Sequence, residues 1–257
     1  MTLHVTTLGD HGSRLVFLHG LFGQGRNWTG IAKALAAEHR VLLVDLPHHG
    51  RSAWSSGFDF GKVSEQVAEV MTDDEPAILV GHSLGGKVAM LVALLHRERV
   101  ARLCVADVAP VAYAHGDEFR GYIAGLKAID LTALENRGEA DAALTEAVPN
   151  ETVRSFLLQN LRRDGDSWRW QANLDVIERD LAVIGGWPEE LLTDVAPYDG
   201  PVLWLAGDRS DYVLEEYEPA MDRWFPRNRK VTIKNAGHWL HSEQPEIFTE
   251  AVRRFAR

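Results

Sequence analysis

Ala77-Ile78-Leu79-Val80-Gly81-His82-Ser83-Leu84-Gly85 passes from a short apolar run into a serine flanked by glycines, and a helical stretch then runs from Ser83 to Leu95. Four consecutive apolar residues closed by glycine read as a buried strand. The pentapeptide is G-x-S-x-G in strand–turn–helix order, the context in which a sharp turn lifts a serine hydroxyl above a sheet edge. Glycines two residues to either side relieve crowding in the turn and let the helix pack close. The helix start adds free N–H groups and partial positive charge, which favour a developing oxyanion. The stretch contains neither G-x-G-x-x-G nor G-x-x-x-x-G-K-[ST], so it is not read as a phosphate loop.

Working outward, apolar strand-like runs alternate with helical patterns. Arg14–Leu18, Arg40–Asp45, Ala101–Ala106, Val202–Ala206 and Val231–Ile233 read as further strands. Between and after them, 27–39 reads as a helix with Trp28, Ile31, Ala34 and Leu35 at helical spacing, followed by helices over 64–71 and 245–255. Strands that are apolar on both faces and separated by helices indicate a parallel sheet covered on both sides. The expected fold class is α/β, with a mostly parallel, doubly wound sheet.

Residues 112–195 break this rhythm, with helix-like segments and no convincing buried strand. They hold 16 acidic and 8 basic side chains, so −8 of the chain's net charge of −10 sits there. The expected division is a core domain of 1–111 and 196–257 with a helical cap of 112–195 inserted at the ligand-binding edge of the sheet. In a chain of 257 residues, an acidic balance argues against sequence-independent nucleic-acid binding. Cys104 is the single cysteine, which excludes an intramolecular disulfide. Met1 to Val5 shows no signal-peptide pattern and no apolar run reaches membrane-spanning length, so a cytoplasmic protein without membrane partners is expected.

A serine nucleophile requires a general base. Of 11 histidines, His238 in Asn235-Ala236-Gly237-His238-Trp239 follows the last strand, at the edge where Ser83 also lies. His241 makes an H-x-x-H pair with it, but without a third nearby ligand no metal site is expected. For the acid that orients the imidazole, three candidates open on the same edge. Asp208 and Asp211 follow the strand at 202–206, where the common G-x-x-D pattern would place aspartate at the position of Ser210, and Asp107 follows the strand at 101–106. His19-Gly20-Leu21-Phe22-Gly23 after the first buried strand is a candidate oxyanion loop, with Leu21 and Leu84 supplying backbone N–H donors.

In order, these segments resemble the α/β-hydrolase superfamily, and more closely its YbfF-like esterase branch. The likeness rests on His19–Gly23 with Asn27-Trp28, Asp45 with His49-Gly50-Arg51-Ser52, and Gly81–Lys87. It continues through Ala106-Asp107-Val108-Ala109-Pro110, Gly207 with Ser210, Tyr212 and Val213, and Gly237-His238-Trp239 with His241 and Glu243. The resemblance implies an α/β-hydrolase fold, the 112–195 insert as a lid, and Asp107 as the acid of a Ser83–His238–Asp107 triad, because the Ser210 position is not aspartate in that branch.

The implied activity is hydrolysis of carboxylic esters through an acyl-enzyme, with no cofactor and a small-molecule ester as partner, by a monomer or homodimer. Phe22, Trp28, Tyr113, Tyr212 and Trp239 are expected to line the substrate pocket, with Phe119, Trp168 and Trp170 as further wall candidates. Such walls favour small to medium uncharged acyl groups. Lactone, thioester or C–C bond hydrolysis on the same triad, and a non-catalytic ligand receptor, are the alternatives.

Overall fold

The computed structural model describes residues 2–114 and 116–257; His115, within the expected insert, lies outside them, as does Met1. Among the described residues the main sheet has seven strands: β1 (His4–Leu8), β2 (Arg14–Leu18), β3 (Arg40–Asp45), β4 (Ala77–His82), β5 (Val100–Ala106), β8 (Val202–Gly207) and β9 (Asn228–Ile233). A separate two-stranded hairpin pairs β6 (Leu161–Asp164) with β7 (Ser167–Trp170). Strand order in the sheet is β1-β3-β2-β4-β5-β8-β9, parallel except for antiparallel β1 on the edge. The architecture is α/β, a mostly parallel central sheet with flanking helices, as the sequence predicts.

The helices are α1 (Thr29–Leu35), α2 (Phe60–Ala68), α3 (Leu84–Leu95), α4 (Gly116–Ala128), α5 (Arg137–Leu144), α6 (Glu151–Leu158), α7 (Leu174–Arg179), α8 (Leu181–Gly185), α9 (Glu218–Trp224), α10 (Leu240–Glu243) and α11 (Pro245–Ala256). The helix expected over 27–39 divides, because Gly25–Trp28 forms a 3-10 turn before α1. Strand side chains alternate between two cores, as the twofold strand period requires. Leu15 and Phe17 face α1 and α11 with Trp28 and Phe248, whereas Val16 and Leu18 face α2 and α3. Residues 84–94 of α3 are all buried, which explains a helix that is apolar nearly all round.

Strand β3 lies on one side of β2 and β4 on the other, so the winding direction reverses between β2 and β4. At such a switch point the loops diverge and leave a crevice at the strands' carboxyl ends. Register aligns those ends: Leu18 opposes Gly81, His82 opposes Ala106, Ala106 opposes Leu205, and Gly207 opposes Ile233. The loops bearing Leu21, Ser83, Asp107 and His238 therefore open on one edge.

Between β5 and β8 the chain forms α4–α8 and the hairpin. Asparagine side chains cap three of these helices: Asn136 accepts from Glu139 N–H, Asn150 from Thr152 and Val153 N–H, and Asn173 from Val176 N–H. Ile123, Leu126, Leu144, Leu157 and Ile177 join the apolar cluster that also contains Val16 and α3. Asn160 reaches across to donate to the Phe22 carbonyl at 2.7 Å, fastening this segment over the loop after β2. Among the described residues, no helix is long and apolar enough to cross a membrane.

Candidate active site

Ser83 sits between β4 and α3 with φ 53° and ψ −119°, a backbone conformation that L-residues avoid. Its surroundings over-determine it. A Cβ on Gly81 would lie 2.2 Å from Gly85 O, and one on Gly85 would lie 2.5 Å from both Leu18 O and His19 O. Only glycines allow the turn to close on itself and the helix to meet β2 so tightly.

His238 Nε2 lies 3.0 Å from Ser83 Oγ, and His238 Nδ1 lies 2.8 Å from Asp107 Oδ2. A carboxylate only accepts, so the imidazole proton resides on Nδ1 and the Nε2 lone pair faces the serine. Asp107 is fully buried, and its Oδ1 accepts from Gly207 N–H at 3.0 Å. The Ser210 hydroxyl also donates to Oδ2. Glycine at 207 lets the His238 loop pass over β8, since a Cβ there would lie 2.4 Å from Gly237 O. Of the two other acids, Asp208 accepts from Ala236 N–H at 3.1 Å and so braces that loop, and Asp211 is exposed.

The imidazole is held on two further sides. The Tyr212 ring stacks on it at 3.9 Å with 22° between planes. His82, inside the serine motif, donates from Nε2 to the His238 carbonyl at 2.8 Å. Burial, with the neighbouring His241 and His238, pushes His82 well below the usual imidazole range, so it is a neutral donor of fixed tautomer. In the sequence only its place beside Ser83 marks His82 for this role.

A family model described as alpha/beta hydrolase fold matches residues 13–245. The chain belongs to the α/β-hydrolase family. It is 37% identical over 249 residues to the sn-1-specific diacylglycerol lipase ABHD11 of Mus musculus, covering 94% of this chain and 80% of that protein. It is 30% identical over 245 residues to esterase YbfF of Escherichia coli, covering 95% of this chain and 92% of that one. A solved structure of a marine microorganism esterase superposes with a TM-score of 0.93 at 35% identity, with 99% of each chain covered. The resemblance to a YbfF-like branch is thus supported.

In this α/β hydrolase, Leu84 is the first residue of α3, so its N–H is one of the helix-start donors without an intrahelical partner. Gly20 brings the loop carrying Leu21 against the serine: a Cβ on it would lie 3.2 Å from Ser83 Cβ. Two clefts meet at Ser83. One, of about 270 Å³, is lined by Leu21, Leu84, Tyr113, Leu181, Ile184 and Tyr212 among others. The other is narrower and is walled by Phe22, Phe156, Leu157 and Trp239, and Phe119 borders both.

Four of the five expected wall residues, Phe22, Tyr113, Tyr212 and Trp239, therefore border a cleft at Ser83, whereas Trp28 does not. Its ring is fully buried on the opposite face of the sheet, 5.2 Å from Phe17 and 5.5 Å from Phe248. The 3-10 turn before α1 directs it inward. Trp168 and Trp170, on the hairpin, also line neither cleft. His241 is buried and its ring packs 4.5 Å from that of Trp28.

Proposed function

We propose that this chain is a serine hydrolase that cleaves carboxylic esters of small to medium, mainly uncharged acyl groups through an acyl-enzyme on Ser83, His238 and Asp107. The observation that carries the reading is the unbroken path from Asp107 Oδ2 to His238 Nδ1 at 2.8 Å and from His238 Nε2 to Ser83 Oγ at 3.0 Å, opening into a cavity whose lining is mostly apolar, with Lys87, Asp117 and Arg120 also on its walls. Esterase and lipase relatives support the same reaction class, and the diacylglycerol named for the mouse relative is itself a neutral ester.

In this mechanism Ser83 Oγ attacks the ester carbonyl carbon as its proton passes to His238 Nε2. Asp107 keeps the Nδ1 proton in place and offsets the imidazolium charge. The Leu21 and Leu84 N–H groups receive the tetrahedral oxyanion. Collapse breaks the bond to the alcohol oxygen, which takes the proton from His238. Water, deprotonated by His238, then attacks the acyl carbon and releases the acid with Ser83 restored. Residues 112–195 act in this reading as a cap over a core of 1–111 and 196–257, shielding the acyl-enzyme.

Fluorophosphonate labelling and p-nitrophenyl ester turnover, measured on wild type and Ser83→Ala, test the proposal. Wild type labels and turns over, and Ser83→Ala loses labelling and at least about four orders of magnitude in kcat. Turnover retained in Ser83→Ala, or a wild type that binds esters without labelling, overturns it.

A further inference from the structure

Lys87 is 2% exposed, in the wall of the larger cavity, where an apolar residue would pack without desolvating a charge. It lies one helical turn after Ser83 on α3, and its N–H bonds to the Ser83 carbonyl at 3.0 Å. Nζ crosses from the core to donate to Gly185 O and Gly186 O, each at 2.6 Å, at the carboxyl end of α8. It also stands 4.8 Å from the centre of the Tyr113 ring. All three ammonium protons thus have acceptors: two carbonyls at a helix end, and an aromatic face.

The far side of that contact matters for the site. Helix α8 is five residues long, too short to persist by its own hydrogen bonds, yet it contributes Leu181, Ala182, Ile184 and Gly185 to the cavity wall. Gly185 O accepts from Tyr113 N–H at 3.0 Å as well. The Tyr113 hydroxyl donates to the Tyr212 carbonyl at 2.6 Å, and the Tyr212 ring stacks on His238. Burial pulls the Lys87 ammonium down to about 7, while the helix-end carbonyls and the ring face favour the charged form.

We propose that Lys87 is a specificity-determining positioning residue: by holding the end of α8 from the helix that follows the nucleophile, it sets the wall against which the acyl chain lies. The inference rests on the ester-hydrolase reading and names what bounds its acyl site. Removing the ammonium takes the side-chain donor from both half-buried carbonyls and leaves Gly185 O with Tyr113 N–H alone, α8 shifts, and chain-length discrimination relaxes while the nucleophile and its base stay assembled.

The test is a kcat and KM series for p-nitrophenyl esters from acetate to laurate, on wild type, Lys87→Met and Lys87→Arg. Wild type shows an optimum that depends on Ser83. In Lys87→Met the kcat/KM of the preferred ester relative to acetate falls about tenfold, carried by KM. Lys87→Arg keeps the donors on a bulkier group and shifts the optimum instead. A flat wild-type series, an unchanged ratio in folded variants, or an equal loss at every chain length overturns the assignment. So does failure of both variants to fold, which would make Lys87 a general support. Wild type without Ser83-dependent ester turnover instead sinks the underlying reading, so the two failures are distinct.

Discussion

Ser210 donates its hydroxyl to Asp107 Oδ2, the oxygen that also accepts the Nδ1 proton of His238. Ser210 occupies the place after β8 where the G-x-x-D pattern would put an aspartate. In the proposed triad the acid comes from the end of β5, and the β8 loop supplies a donor to it. With Gly207 N–H on Oδ1, the fully buried carboxylate has three donors. That solvation by fixed dipoles is what allows a charge to sit inside the fold.

Asp107→Asn is expected to lower kcat for ester hydrolysis about 10⁴-fold, because the amide no longer enforces the Nδ1–H tautomer of His238. Asp211→Asn, on an exposed position, changes kcat by less than about threefold, as surface changes away from the reacting groups do. Steady-state rates on one neutral ester decide between them. Comparable losses would move the acid off Asp107.

Ser210→Ala removes one of the two donors on Oδ2. A hydrogen bond to a charged group contributes about 1.5–3 kcal/mol, so kcat falls roughly ten- to hundredfold. Ser210→Thr keeps the hydroxyl and recovers most of the rate. If alanine and threonine behave alike in the same assay, the hydroxyl has no part in holding the acid.

Four buried histidines make the fold acid-sensitive. Burial lowers His19 to about 4 and His49 and His241 to about 3, and pushes His82 well below its ordinary value. In the unfolded chain each takes up a proton near 6.5. Stability is therefore fully present above about pH 6.5 and is lost as pH falls toward the folded values. Each histidine costs up to about 1.4 kcal/mol per pH unit in that window. Urea midpoints at pH 7.5 and pH 5.0 measure this, and equal midpoints would show that these rings do not stay neutral in the folded protein.

Gly85→Ala places a Cβ 2.5 Å from two carbonyl oxygens of the β2 strand and loop. Neither is the end of a flexible side chain, so the helix must lift off the sheet. The expected cost is about 1–3 kcal/mol or more, seen as a lowered Tm. An unchanged Tm would mean that α3 and β2 do not approach so closely.

Legibility followed burial. Strands β2, β4, β5 and β8, paired on both sides, are apolar runs that declare themselves, and Ser83 follows from where β4 ends, whereas His238 follows the last strand, β9, on the sheet edge. Edge strand β1, His-Val-Thr-Thr-Leu, faces solvent enough to look like loop, and the hairpin β6–β7 is built from Arg-Arg-Asp and Ser-Trp-Arg-Trp. Trp28 shares the helical spacing of a surface helix with Ile31 and Leu35, so periodicity places it on an apolar face without saying which core that face meets. Asp107, Asp208 and Asp211 all follow strands on one edge, and only distances separate them. Long-range pairs such as His82 with the His238 carbonyl, or Lys87 with Gly185, leave no local pattern to read.

Ser83, Asp107 and His238 hang from β4, β5 and the loop after β9, whereas Phe119, Phe156, Leu181 and Ile184 belong to the stretch between β5 and β8. On the proposed mechanism, reactivity and appetite are thus inherited on separate lengths of one chain. A graft that exchanges the stretch between β5 and β8 could carry a foreign diet onto the same bond-breaking apparatus. It would have to arrive with its own pair of terminal carbonyls for Lys87, or it would strand an ammonium beneath an apolar roof.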